Sequence, residues 1–164
     1  MFRIGILTAS DAGSRGERED LSSKVIMDMI TSIGEVVEYI MVPDNRDDIS
    51  AVLKLWADEL KLDLILTTGG TGFSPRDITP EATLDIVERQ VPGIPEALRA
   101  MSYQKTNRAM LSRGTAGIRG ATLIVNMPGS PIACREYMEF LLPVLSHGLE
   151  ILTGKAANCA RPEK

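Results

Sequence analysis

Short apolar segments alternate along this chain with longer segments in which apolar residues recur at helical spacing. The apolar segments have the length of buried strands and lie at residues 2–9, 35–42, 62–68 and 121–126. The segments predicted to be helices lie at residues 21–33, 49–60, 94–104 and 133–153, and a further helix is expected to start at residue 80. This alternation predicts right-handed βαβ units, hence a three-layer α/β/α domain with a mostly parallel sheet. At 164 residues, the chain is predicted to form one such domain over 1–164.

Two prolines and one polar segment set further structural expectations. Thr79 directly precedes Pro80, so we expect Thr79 to be an N-cap and a helix to start at Pro80. Pro143 lacks an amide donor, so we expect a kink or two shorter helices within 133–153. The polar, glycine-containing segment 106–120 is interpreted as a connection.

Charge and cysteine content argue against several classes of protein. With 18 basic and 22 acidic residues, the formal net charge is -4, which disfavours binding to nucleic acid. Cys134 and Cys159 lack the spacing of a redox or zinc motif, so we expect a reduced, intracellular chain. No segment approaches the roughly 18 apolar residues that a membrane helix requires. We therefore expect a cytoplasmic protein without a membrane partner.

Polar loops follow each of the four predicted strands. Ser10 and Asp11 follow the first strand, Asp44 the second, residues 69–77 the third and residues 126–130 the fourth. In open α/β sheets, ligands bind outside the carboxyl ends of the parallel strands. The loops are therefore predicted to form one candidate site.

The loop after the third strand has a composition that suits phosphate. Gly69, Gly70 and Gly72 allow backbone amides to approach an oxyanion, and Thr71 adds a hydroxyl. The loop is not a Walker loop, because no Lys-Ser/Thr pair follows it, and Pro75 breaks the dinucleotide fingerprint. A tight turn that binds no ligand is the alternative interpretation.

Four carboxylates lie in or near the same loops: Asp11, Asp44, Asp47 and Asp77. Phosphate chemistry beside several acidic groups needs a cation, and Mg²⁺ held by one or two carboxylates meets that need. For any single aspartate, a capping or turn role is the alternative. Thiolate or histidine catalysis finds little support, because the cysteines and His147 lie outside these loops.

Five segments closely resemble the signature blocks of the molybdopterin adenylyltransferase family, which includes the Mog and MoaB proteins: residues 67–77, 79–83, 111–113, 116–120 and 126–131. The resemblance covers nearly the whole chain. It implies a molybdopterin-binding-like fold, a homotrimer and a transient contact with the metal-insertion protein of the pathway. It also implies Mg²⁺-dependent attack of the molybdopterin phosphate on ATP, giving adenylyl-molybdopterin and pyrophosphate.

The resemblance assigns roles position by position. Asp44 and Asp77 match the family's essential aspartates, with roles in catalysis and in Mg²⁺ positioning. The positions matching nucleotide or molybdopterin contacts are Ser10, Asp11, Gly69, Gly70, Thr71, Gly72, Ser102, Ser112, Asn126, Pro128 and Gly129. Among these, Ser102 and Ser112 match the pterin side, and Asn126 matches a wall where an amide would read adenine. Ser23 stands where many members have glycine, and no contact is assigned to residues 20–23.

Two alternatives to an active adenylyltransferase remain open. The first alternative is a non-catalytic molybdopterin-binding or scaffold module. The second is a MoaB-type paralogue with weak adenylation activity. Retention of Asp44 and Asp77 counts against a module without turnover. No residue of the sequence is assigned to binding of molybdenum or tungsten, so the sequence does not distinguish the two metals.

Overall fold

The computed structural model describes residues 1–156, and Cys159 lies outside them. Within these residues, six strands form one sheet: β1 Phe2–Ala9, β2 Gly34–Val42, β3 Leu64–Thr68, β4 Arg89–Gln90, β5 Ala116–Arg119 and β6 Thr122–Met127. The strand order is β2-β1-β3-β6-β5-β4. Strands β2, β1, β3 and β6 are parallel, whereas β5 is antiparallel to β6 and to β4. The prediction of a mostly parallel sheet is confirmed.

Helices cover both faces of the sheet. They are α1 Asp11–Ser14, α2 Leu21–Ile30, α3 Arg46–Asp58, α4 Thr79–Leu84, α5 Gly93–Tyr103 and α6 Pro131–Leu152, with a 3₁₀ turn at Asn107–Leu111. Side chains of α2, α5 and α6 pack in one hydrophobic core, and those of α3 and α4 pack in a second core on the other face. The predicted three-layer α/β/α architecture is confirmed.

The side chains of β1 alternate between the two cores. Ile4 and Ile6 belong to the core with α2 and α6, and Leu7 belongs to the core with α3. All three are fully buried. Strand β1 passes close to Trp56 at Gly5. A Cβ at this position would lie only 2.6 Å from the indole ring, which explains the glycine. Burial on both faces explains why these strands are nearly continuous apolar runs.

Two expectations about helix starts are wrong. Helix α4 begins at Thr79, one residue earlier than predicted, and its N-cap is Ile78. The amide of Thr79 donates to the Gly70 carbonyl at 3.1 Å, which draws this residue into the first turn. Leu21, expected on the apolar face of its helix, is 51% exposed, whereas Ser22 and Ser23 are the buried residues of the first turn of α2.

The expectation of two shorter helices at Pro143 is also wrong, since α6 continues for 22 residues through this proline. Pro143 is exposed on the outer face of the helix. The carbonyl four residues earlier, at Glu139, therefore meets water instead of an amide, which a long helix tolerates. None of the helices in residues 1–156 combines the length and the unbroken apolarity of a membrane span.

The segment interpreted as a polar connection contains β5 and the 3₁₀ turn. Strand β5 has four residues and includes Gly117, where a Cβ would lie 2.7 Å from Val87. The hydrophobic pattern of β5 is therefore too short and too interrupted to predict a strand from the sequence. The strand is recognised in the structure by its antiparallel pairing with β6.

We expect Pro143→Ala to stabilise the chain. Alanine restores the missing amide donor in the middle of an uninterrupted helix, and its side chain faces solvent. The free energy of unfolding should rise by about 1–2 kcal/mol, because alanine's helical preference outweighs the greater entropy of its unfolded state. Urea unfolding followed by circular dichroism at fixed protein concentration measures this change. Equal or lower stability would show that α6 requires proline here.

Candidate functional site

A cavity of about 440 Å³ opens at the carboxyl ends of β1, β2, β3 and β6. Six sequence-predicted residues line it: Ser10, Asp44, Gly69, Gly70, Asp77 and Gly129. Each follows a parallel strand, so the sheet topology itself brings these residues together. The cavity extends past Gly69 to the N-terminus of α2, where Asp20 and Ser22 form part of its wall.

The first two glycines of the loop after β3 are required by its shape. Gly69 and Gly70 have φ angles of +88° and +66°, in the left-handed region that side chains rarely adopt. A Cβ on Gly69 would lie 2.4 Å from the Ala9 carbonyl oxygen. A Cβ on Gly70 would lie 2.3 Å from Thr79 Oγ1. The loop therefore packs closely against the end of β1 and the start of α4.

The same loop is anchored through its carbonyl groups. The carbonyls of Gly70, Thr71 and Gly72 accept from the Thr79 amide, the Arg113 amide and Arg113 Nε at 3.1, 2.8 and 2.8 Å. A trans peptide unit directs its N–H opposite to its C=O. The amides of Thr71, Gly72 and Phe73 consequently point away from the protein groups that hold the loop.

Arg113 is the main support of this loop, and sequence reasoning did not assign it a role. Its Nη2 donates to the Asp77 carbonyl at 2.8 Å, and its Nη1 forms an ion pair with Glu81. Together with the contacts to Thr71 and Gly72, these bonds hold both ends of the segment that leads to Asp77. The only signal in the sequence was its position in the family block 111–113.

Asp44 presents one carboxylate oxygen that no described group satisfies. Its Oδ2 accepts from the Asp11 amide at 3.0 Å, whereas its Oδ1 is buried and has no hydrogen-bond partner among residues 1–156. Burial raises the pKa of Asp44, and the negative charges of Asp11 and Asp77 raise it further, against the lowering effect of the Asp11 amide. A cation would satisfy the free oxygen and relieve this repulsion.

Asp77 follows the glycine-rich loop in the chain and also lines the cavity. Its Oδ2 accepts from the Ser74 amide at 3.1 Å, and a Cβ on Gly72 would lie 2.9 Å from this oxygen. The absence of a side chain at Gly72 therefore keeps the carboxylate close to the loop backbone.

Asp44 and Asp77 are the carboxylates of the cavity that could hold a Mg²⁺ ion together with a substrate. In residues 1–156, no group of three or more histidine, cysteine, aspartate or glutamate side chains is arranged to hold a metal by itself. Mg²⁺ commonly uses one or two carboxylates together with waters and phosphate oxygens. The unpartnered Oδ1 of Asp44 supplies a ligand of this kind.

Several predicted residues do not line the cavity. Asn126 is only 3% exposed, and its amide nitrogen donates to the hydroxyls of Thr67 and Thr83 at 3.0 and 2.9 Å. Its Oδ1 accepts from the Thr115 amide at 3.1 Å. The side chain that was expected to read adenine is thus occupied by contacts inside the protein.

The other predicted residues outside the cavity wall are Asp11, Thr71, Gly72, Ser102, Ser112 and Pro128. Ser102 is buried near the end of α5, and Ser112 Oγ accepts from the Gly114 amide at 3.3 Å. Pro128 contributes its carbonyl, which accepts from Thr68 Oγ1 at 2.7 Å. Neither serine lines the cavity, although Ser112 directly precedes Arg113, whose amide donates to the Thr71 carbonyl.

Asp20 lines the cavity although no contact was assigned to its segment. Its Oδ1 accepts from the Ser23 amide, and its Oδ2 accepts from the hydroxyls of Thr8 and Tyr39. Burial opposes ionisation, but these hydrogen bonds lower the pKa of Asp20. Ser23 is accommodated in the first turn of α2, where its amide completes the cap.

Cys134 and His147 are poorly placed for catalysis. Cys134 is buried, burial raises the pKa of its thiol to about 11, and its Sγ donates to the Pro128 carbonyl at 2.9 Å. A protonated thiol is a weak nucleophile. His147 is exposed on α6, as expected from the sequence.

Comparisons with known proteins identify the family of the chain. The family described as the probable molybdopterin binding domain matches residues 5–147. A molybdopterin adenylyltransferase from Helicobacter pylori (strain J99) is 42% identical over 156 residues, covering 93% of this chain and 89% of that protein. Gephyrin from Dictyostelium discoideum is 40% identical over 163 residues, covering 93% of this chain and 23% of that protein.

A solved structure has the same fold. The molybdopterin biosynthesis enzyme MoaB from Thermus thermophilus is 53% identical, with a TM-score of 0.90. The match covers 96% of this chain and 100% of that structure. This chain therefore belongs to the molybdopterin adenylyltransferase family, the Mog- and MoaB-type proteins of molybdenum cofactor biosynthesis.

Proposed function

We propose that this chain transfers the adenylyl group of Mg²⁺-bound ATP to the terminal phosphate of molybdopterin, with release of pyrophosphate. The proposal rests mainly on Asp44, whose Oδ1 is buried and has no hydrogen-bond partner among residues 1–156. Asp44 lines the same cavity as Asp77. Family membership supports the pathway and the two substrates.

The glycine-rich loop is suited to bind the phosphates of ATP. Its carbonyls are taken up by Thr79 and Arg113, so the amides of Thr71, Gly72 and Phe73 are turned the other way. Amides held in this way are preorganised hydrogen-bond donors for phosphate oxygens. Gly69 and Gly70 adopt the left-handed backbone conformations that give the loop this shape.

Asp44 and Asp77 are proposed to hold Mg²⁺ beside the reacting phosphates. When bound there, the ion neutralises the charge that develops on the phosphate oxygens during transfer. Asp44 contributes its free Oδ1, and Asp77 stays next to the loop through its bond from the Ser74 amide. Burial of Asp44 strengthens its attraction for a cation.

The transfer needs no protein nucleophile. An oxygen of the molybdopterin phosphate forms a bond to the α-phosphorus of ATP while the bond to the β-phosphate oxygen breaks and pyrophosphate leaves. Positioning of two bound substrates and electrostatic stabilisation supply most of the rate enhancement in such a reaction. The buried thiol of Cys134 and the remote His147 are consistent with this mechanism.

The remaining predicted residues are proposed to form the walls of the site. Ser10 and Gly129 face the cavity and are proposed to contact the nucleotide. Asn126 is proposed to position the end of β6, since its side chain joins β6 to β3 and α4. Ser102 and Ser112 are proposed to contact the pterin outside the described cavity.

We also propose that the chain assembles as a homotrimer. Helix α6 exposes an apolar stripe made of Ile132, Phe140 and Val144, which are 74%, 45% and 60% exposed. Glu136, between them on the same stripe, pairs with Lys105 at 3.0 Å. An exposed apolar stripe on a monomer is typical of a subunit interface.

Replacement of either carboxylate should abolish most turnover. In Asp44→Asn and Asp77→Asn, kcat for adenylyl transfer should fall about 100-fold or more, because each change removes a charged ligand at the reacting phosphates. Mass spectrometry of molybdopterin incubated with ATP and Mg²⁺, with a parallel pyrophosphate assay, measures the product.

Asp48→Asn is the matched control, because Asp48 is exposed on the first turn of α3 near Asp44 and outside the cavity. Its kcat should stay within about twofold of the wild-type value, as for a surface change away from the site. Tight molybdopterin binding without product in the wild-type chain would instead identify a carrier or scaffold module. Unfolding of both Asn variants would contradict the catalytic assignment.

The trimer proposal predicts a mass of three chains in sedimentation equilibrium. Val144→Glu should lower the average mass, because it places a charge on the apolar stripe. Lys54→Glu on α3, exposed on the opposite face of the sheet, should leave the mass unchanged. A wild-type monomer, or a trimer that Val144→Glu does not weaken, would contradict this assignment of the interface.

A further inference from the structure

Asp11 stands directly behind Asp44, outside the cavity wall. The two residues exchange hydrogen bonds: the Asp11 amide donates to Asp44 Oδ2, and the Asp44 amide donates to Asp11 Oδ1, both at 3.0 Å. The exchange ties the loop after β1 to the loop after β2. It also determines which oxygen of Asp44 remains free, since Oδ2 is occupied.

Arg76 completes this arrangement from the third loop. Its Nε donates to Asp11 Oδ2 at 2.9 Å, and its Nη2 donates to Asp11 Oδ1 at 3.0 Å. Both oxygens of Asp11 are therefore engaged by protein groups, with Oδ1 accepting two bonds. The planar guanidinium matches the carboxylate in a way that lysine cannot reproduce.

The ion pair contributes little to folding. Its side chains are 63% exposed at Arg76 and 28% exposed at Asp11, and pairs so open to water add little to stability. The ion pair also holds a second carboxylate next to Asp44 and offsets the negative charge of that carboxylate. Without the guanidinium, Asp11 and Asp44 would repel each other across their two shared hydrogen bonds.

We propose that Arg76 is a positioning residue for the adenylyl transfer, acting through Asp11 to keep Asp44 Oδ1 directed at the bound cation. Asp11 is then a positioning residue as well, and it does not contact the substrates. The role in catalysis rests on the proposed function, whereas the physical link from Arg76 to Asp44 does not.

A double-mutant cycle tests whether Arg76 acts through Asp11. Arg76→Gln alone should lower kcat about tenfold, with little change in the KM for ATP or molybdopterin, because a misplaced carboxylate affects the reacting geometry. In the Asp11→Asn background, the same change should lower kcat by less than about twofold, because the partner is already lost. Arg76→Lys should restore part of the activity through a single hydrogen bond.

Arg46→Gln is the matched control. Arg46 forms an equally bidentate pair with Asp85, at 2.6 and 2.7 Å, between α3 and α4 and outside the cavity wall. Its kcat should stay at the wild-type value. An unchanged kcat in Arg76→Gln would overturn the proposal. An equal loss from Arg76→Gln in both backgrounds, or a rise in the KM for ATP, would also overturn it by showing direct contact with the substrate.

Amide hydrogen exchange tests the same link without any turnover. In Arg76→Gln, exchange at the Asp11 and Asp44 amides should accelerate about tenfold or more, because their shared hydrogen bonds loosen. Arg46→Gln should leave both rates unchanged. Unchanged exchange in Arg76→Gln would overturn the link. A wild-type chain that makes no adenylated product would contradict the proposed function, while the exchange rates would still decide the link.

Discussion

Burial of the central strands on both faces is the constraint on which the site depends. The side chains of Ile4, Leu7, Ile65 and Ile124 are fully excluded from water, on alternate sides of the sheet. Such strands have no room for polar chemistry along their length, so polar groups collect where the strands end. Because β1, β2, β3 and β6 are parallel, their carboxyl ends meet at one edge, and the cavity opens there.

At that edge, the protein uses hydrogen bonds between loops to leave a few groups free for a ligand. Thr79 and Arg113 hold the carbonyls of the glycine-rich loop, which turns its amides outward. Asp11 occupies one oxygen of Asp44, which leaves the other without a partner among the described residues. Burial raises the pKa of Asp44, and a bound cation would relieve that cost. The same hydrogen bonds between loops therefore hold the loops in place and leave the loop amides and Asp44 Oδ1 available to a ligand.

Much of this arrangement could be predicted from local pattern, and the rest depends on contacts between distant residues. The strand-helix alternation predicted the layers, and the loop positions predicted that Asp44 and Asp77 share a cavity. Arg113 was missed because the carbonyls it holds are 36 to 42 residues away, and nothing in its own segment indicates them. Asn126 was assigned to ligand binding because a polar side chain after a strand favours that interpretation, whereas its amide is enclosed by threonine hydroxyls. Whether Pro143 divides the last helix depends on whether the carbonyl left without an amide donor faces water. Only the packing of α6 in the folded chain decides this.

The proposed site is tested most directly by a crystal structure of the chain with Mn²⁺ and α,β-methylene-ATP, an analogue that cannot transfer its adenylyl group. We expect an anomalous peak for the metal about 2.1 Å from Asp44 Oδ1 and close to Asp77, as for a hard cation on carboxylate ligands. We also expect phosphate oxygens to accept from the amides of Thr71 and Gly72. A nucleotide bound away from this loop, or a metal with no contact to either carboxylate, would contradict the proposed site.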